Sequence, residues 1–168
     1  MSEAAPAPPP AEIQPPVEAL PAYTEEWLTD IPGQQYSVAI KVPEAGHITG
    51  TLRVDDANDY RGVYVDLFAA DENAPPGSGK ALLHTLAHEA SQYRATEMSG
   101  HFTSPAALGA FGSVVGRENV RFTVRHGEAA TDVTFEEAMS DPTRYIATAP
   151  LPQEQPAVKA HDDYAIAA

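Results

Sequence analysis

Cysteine is absent from the 168 residues, which excludes disulfides, thiolate nucleophiles and cysteine-based zinc sites. Basic residues are scarce: Lys and Arg total 10 against 24 Asp and Glu, for a formal net charge of −14. Neutralising a phosphate backbone takes clustered Lys and Arg, so direct nucleic-acid binding is not expected. Long apolar runs are also missing. Nothing approaches the ~20 residues of a membrane-spanning helix, and the N-terminus has no basic stretch followed by an apolar one. The expectation is a soluble, cytoplasmic protein with no membrane partner.

Apolar content is unevenly spread. Residues 1–22 are almost entirely Pro, Ala and Glu, and residues 150–168 are similar. Such segments offer too little apolar surface to offset the entropy of ordering them, and their prolines favour the extended polyproline II form. They read as extended or disordered tails, or as arms that order on a protein partner. The remainder, residues 23–149, has the size of one domain. Glu3, Glu12, Glu18, Glu154, Asp162, Asp163 and Lys159 lie in the tails, leaving 18 acids and 9 bases in the domain. The acidity therefore belongs to the domain itself. It serves solubility, or it faces a basic partner.

Residues 35–42 (QYSVAIKV) alternate apolar and polar, as a half-buried strand does. Residues 47–54 repeat the pattern after a Pro43-Glu44-Ala45-Gly46 turn, giving a hairpin. Asp55–Asp59 is a polar turn, and residues 62–69 (GVYVDLFA) form a third strand. Alternation places Val63, Val65 and Leu67 on one face of that strand, with Tyr64, Asp66 and Phe68 on the other. The period then lengthens: residues 79–94 put Leu82, Leu83, Leu86, Ala90 and Tyr93 on one stripe of a helix. A short strand around residues 97–102 precedes Ser104-Pro105, a capping residue followed by proline at the first helical position, and Gly116 ends that second helix. Strands at residues 119–125 and about 131–135, turning at His126-Gly127-Glu128, and an extended piece at 145–147 complete the order. Residues 23–28 read as a short helical turn that lays Trp27 on the core. The resulting β-β-β-α-β-α-β-β order describes an α/β fold, a mixed, largely antiparallel sheet with helices on its faces.

The chemistry concentrates between the third strand and the first long helix. Gly77-Ser78-Gly79-Lys80 lies where a strand runs into a helix N-terminus, whose free amides and dipole attract an anion. A Walker phosphate loop is excluded, because Ala74 stands where its first glycine belongs and Ala81 where Ser or Thr must follow the lysine. The dinucleotide fingerprint fails on glycine spacing and on the meander that precedes it.

With Leu67-Phe68-Ala69 on the strand, Gly77 and Gly79 in the loop and Lys80-Ala81-Leu82-Leu83 opening the helix, this stretch resembles the GNAT family of acetyl-CoA-dependent N-acetyltransferases. Ser104-Pro105-Ala106-Ala107-Leu108, closed by Gly116, is similar to the family's second segment, and the resemblance runs from Tyr60 to Gly116. It implies the acyl-CoA N-acyltransferase fold. It also implies an acetyl-CoA site built on the backbone amides of Leu67, Phe68 and Ala69 and of Ser78, Gly79 and Lys80, beside Gly77. Acyl transfer to an amine-bearing small molecule or protein would follow. The chain departs from the family pattern at Ala74, in place of Arg or Gln, and at Pro75 and Pro76, which have no amide hydrogen. It departs again at Phe111, in place of the proton-donating Tyr, and at Ser104 or Pro105, where an Asn often precedes the helix.

Asp66, on the strand leading to the loop, is the first candidate for general base, or it is an ordinary solvent-facing carboxylate. Glu97, opening the next strand, is the second. Tyr64 or Tyr93 stands in for the missing phenol, or packs. His84 and His88, four apart beside Glu89, have metal-ligand spacing but no third ligand, and a solvated helix face accounts for them; no metal site is assigned. His101 and His126 are candidates for the substrate side. Two functions remain: an acetyl-CoA-dependent N-acetyltransferase acting on an amine, or a catalytically inactive module that binds a protein or serves assembly through its tails.

Overall fold

The computed structural model describes residues 20–124 and 133–151. Most of tail 1–22, most of tail 150–168 and the turn expected at His126 fall outside these residues. The chain builds strands β1 (Thr24–Ile31), β2 (Gln35–Val42), β3 (Gly46–Asp55) and β4 (Tyr60–Ala70), helix α1 (Ser78–Gln92) and strand β5 (Glu97–Gly100). Helix α2 (Pro105–Val115), β6 (Arg121–Val124), α3 (Phe135–Ser140) and β7 (Tyr145–Pro150) follow. The seven strands lie in the order β1-β2-β3-β4-β5-β7-β6, and every neighbouring pair is antiparallel except β4 with β5. The mixed, largely antiparallel α/β sheet is the architecture expected.

Residues 24–31 are a strand and not a helical turn. Pro32-Gly33 is the cause: Gln34 N–H bonds the Ile31 carbonyl at 2.9 Å, and Gly33 takes a φ of 77° that glycine adopts without a steric penalty. This turn folds β1 back onto β2 as a hairpin. Trp27 still reaches the core, edge-on to Tyr93 with ring centroids 4.8 Å apart. A second correction concerns Phe135, which opens α3 where a strand was expected. Thr134 and Glu137 exchange side-chain-to-backbone hydrogen bonds there in a full capping box.

The core lies on one face of the sheet. Residues directly opposed across strands share a face, and Ile40, Ile48 and Phe68 form one such row, Val38, Gly50 and Val65 another. Leu82, Leu83 and Leu86 of α1 are fully buried in the same core. Phe122 extends that face to α3 through Phe135, and Phe111 of α2 is buried in it. The three helices thus gather on one side.

Strand β4 carries a bulge. Thr49 and Gly50 are consecutive on β3, yet they oppose Leu67 and Val65, so Asp66 has no partner. One extra residue reverses the alternation beyond it. Leu67 consequently points outward, 52% exposed, and Phe68 turns onto the core. This reverses the faces that simple alternation assigns to the two residues.

Candidate functional site

Strands β4 and β5 pair in parallel from Gly62 with Glu97 to Val65 with Gly100, and there the pairing stops. Strand β4 continues to Ala70, whereas the chain after Gly100 leaves the sheet toward Ser104 and α2. The gap is a cleft of about 730 Å³. One wall holds Asp66, Leu67 and Phe68, with Gly77, Gly79 and Lys80 at the start of α1. The other holds His101, Phe102 and Ser104, with Ala107 and Ala110 of α2. Alanines on α2 keep that wall low. Ser104 caps the helix by accepting the Ala107 amide at 3.1 Å, and Pro105 follows it, which directs the helix start at the cleft.

The loop before α1 is tightly closed. Ser78 donates both its amide (3.2 Å) and its hydroxyl (2.7 Å) to the Pro75 carbonyl, and Gly77 adopts a φ of 88°. The Ser78 amide, expected to face a ligand, is therefore already engaged. Among the described residues the amides of Gly79 and Lys80 have no protein acceptor, as the first turn of a helix requires. Pro75 and Pro76 are exposed and do not line the cleft, which is open. Gly79 sits against the Phe68 ring, where an added Cβ would lie 3.2 Å from Cζ.

Asp66 stands at the cleft mouth on the face away from the helices, its carboxylate accepting the Thr51 hydroxyl at 2.5 Å. Glu97 lies elsewhere, at the paired end of β5. It accepts the Tyr60 hydroxyl at 3.0 Å and lies 3.3 Å from Arg121 Nη2. That carboxylate, together with burial, raises the Tyr60 phenol to about 12, with burial the larger cause. Ala69 and Ser78 are not among the lining residues, although both adjoin it in sequence.

No tyrosine lines the cleft among the described residues. Tyr93 is buried beneath Trp27, and Tyr64 faces a smaller hollow with Arg53 and Ser99. Phe111, at the position of the family's tyrosine, points into the core, fully buried and 4.8 Å from Phe102. Two residues went unweighted or undecided in the sequence. His101 lines the cleft and donates from Nε2 to the Thr143 carbonyl at 2.6 Å. Glu89, expected beside histidines on a solvated face, is 1% exposed, and takes hydrogen bonds from Tyr23 (2.6 Å) and Trp27 (3.3 Å), tying β1 to α1. Burial and that carboxylate together push the Tyr23 phenol well above its ordinary range, burial the more strongly.

No family model and no curated protein matches the chain by sequence. By shape it aligns with a provisionally assigned acyl-CoA N-acyltransferase of Klebsiella pneumoniae over 77% of this chain and 98% of that one, at 14% identity and a TM-score of 0.46. It aligns with a ribosomal-protein alanine N-acetyltransferase of Escherichia coli over 74% of each chain, at 13% identity and a TM-score of 0.42. For GCN5 of Tetrahymena the shares are 73% and 71%, the identity 13% and the TM-score 0.40. No helix among the described residues is long and apolar enough to cross a membrane.

Proposed function

We propose that the cleft between β4 and β5 binds acetyl-CoA and that the protein transfers the acetyl group to an amine. The observation that carries this reading is the parallel pair that stops at Val65 and Gly100 just where a helix with two unpartnered amides begins. The residues suit the ligand in three respects. Gly79 and Lys80 amides, the α1 dipole and the Lys80 ammonium favour a pyrophosphate. Leu67, Phe68, Phe102 and Ala107 offer apolar walls to a pantetheine arm. Strand edges freed by the split present backbone groups to its amides. When bound, the thioester supplies an acyl carbon open to attack by an amine.

The chain's own residues orient the reactants and handle protons. Asp66 holds negative charge at the mouth, which draws a cationic amine toward the acyl site. Phe68 and Phe102, edge-to-face with centroids 6.4 Å apart, give the inner wall an apolar surface. Isothermal titration with acetyl-CoA tests the reading: binding near a 1:1 ratio supports it, and no heat at millimolar ligand overturns it.

A second reading, a protein-binding module without turnover, draws on the absence of a tyrosine among the described residues that line the cleft. Acetyl-CoA binding without transfer to any amine, together with loss of a pulled-down partner on deleting residues 1–22 and 150–168, is its signature.

A further inference from the structure

We infer that His101, acting through Nδ1, is the group that takes the proton from the attacking amine; this rests on the reading of the cleft as an acetyltransferase site.

His101 is the first residue after β5 leaves the sheet. Gly100 is the last partner of Val65, so His101 and Asp66 follow the final rung on the two sides of the split. Both line the cleft. The Thr143 carbonyl, at 2.6 Å, carries no proton, so Nε2 must be the donor in that hydrogen bond. Neutral imidazole has one N–H, and with Nε2 holding it the lone pair resides on Nδ1. Thr143 belongs to a short 3-10 turn, Pro142–Arg144, that leads into β7, so the sheet itself positions the acceptor that selects the tautomer.

Geometry leaves two bases at this mouth, and chemistry separates them. A general base works best when its proton affinity lies near the working pH, a condition imidazole meets far better than a carboxylate. Asp66 also shares its charge with the Thr51 hydroxyl. The carboxylate then attracts the ammonium and the imidazole deprotonates it. His101 Nδ1 removes one proton from the ammonium; the freed amine forms the C–N bond as the C–S bond breaks. The sulfur leaves as a thiol with the second N–H proton, and the imidazolium returns its proton to solvent. Among the described residues, the charged groups that line the same cleft as His101 are Asp66 from β4 and Lys80 from α1, and Asp141 and Arg144 lie near Thr143 in sequence.

Three measurements on the full chain test this. Long-range ¹H–¹⁵N correlation of the free protein is expected to show His101 with the proton on Nε2; an Nδ1–H tautomer overturns the inference. His101→Ala is expected to lower kcat for acetyl-CoA with primary alkylamines by roughly 10²-fold or more. In the variant the rate should instead follow the fraction of free amine, rising with pH toward the amine's own ionisation, with acetyl-CoA affinity by titration within about twofold. Added imidazole is expected to restore part of the rate, which a packing role would not allow. Unchanged kcat in His101→Ala overturns the inference and leaves the cofactor site standing. Acetyl-CoA binding with no turnover of any amine also overturns it, whereas failure of the native protein to bind acetyl-CoA removes the reading beneath it.

Discussion

The two ends of the β4–β5 seam are built in opposite ways. At the paired end, main chain and side chains are stitched together. Thr96 N–H bonds the Arg61 carbonyl at 2.9 Å, Arg61 reaches the Tyr93 carbonyl at 2.9 Å, and Tyr60 and Arg121 converge on Glu97. At the open end the strands part, the walls are alanine, glycine and phenylalanine, and polar groups stand with capacity to spare. One seam is thus closed at one end and opens into a cleft at the other. Its lesson is that a candidate carboxylate must be judged by which end it occupies. Glu97 and Asp66 look equivalent in sequence, yet Glu97 is committed to holding the sheet, and Asp66 faces the opening.

Substitutions can break this contrast. The largest effect is expected at Gly46, which opposes Ala70 at the far open end. A Cβ there would overlap the Ala69 carbonyl oxygen, on a backbone with φ of 139°. Gly46→Ala should destabilise the protein by about 3 kcal/mol or more and abolish acetyl-CoA binding, as read by urea unfolding and titration. Next comes Phe111→Tyr, which places at this position the tyrosine of the family that the sequence resembles. The ring is fully buried, so the added hydroxyl must be taken out of water, and the expected result is a loss of about 1–3 kcal/mol with no rise in kcat.

Tyr60→Phe sharpens the comparison from the anchored end. The folded phenol titrates near 12 against the ordinary 10.0, so the folded state keeps a proton that the unfolded chain sheds. Its stabilising contribution is complete below pH 10 and disappears as pH rises toward 12. The variant should unfold in urea with a flatter pH dependence across that window, and any acetyl-CoA affinity of the native protein should be unchanged in it. The smallest effect is expected for Lys80→Ala, whose exposed ammonium is screened by salt. Acetyl-CoA affinity should fall severalfold in dilute buffer, and the difference should vanish at 1 M salt, where the Debye length is about 3 Å.

Much of this was legible in the chain. Period-two alternation marked β2, β3 and most of β4, the leucine stripe marked α1, and Ser104-Pro105 with Gly116 delimited α2 at both ends. The placement of Gly77, Gly79 and Lys80 at a strand-to-helix junction located the cleft. What escaped has identifiable causes. Strand β1 mixes acids with Trp27 and Leu28 because it is an edge strand paired only with β2; Pro32-Gly33 was the signal for it. The bulge at Asp66 depends on the partner strand and leaves no local mark, so Leu67 and Phe68 exchanged faces. Glu89 looked solvent-facing because its partners, Tyr23 and Trp27, lie more than 60 positions away. Residue type located Phe111 on its helix, but only packing showed that it turns from the cleft.

Strand order also has a kinetic consequence. Strands β1 to β4 are each joined to the next by a short connection, so three hairpins can zip up one after another with little loop entropy to overcome. Pairing β4 with β5 must instead wait for α1 to cross over, and β7 can join only after β5 is seated. The cleft is therefore among the last features to assemble, and under mild denaturant its walls should surrender amide protection before the meander does.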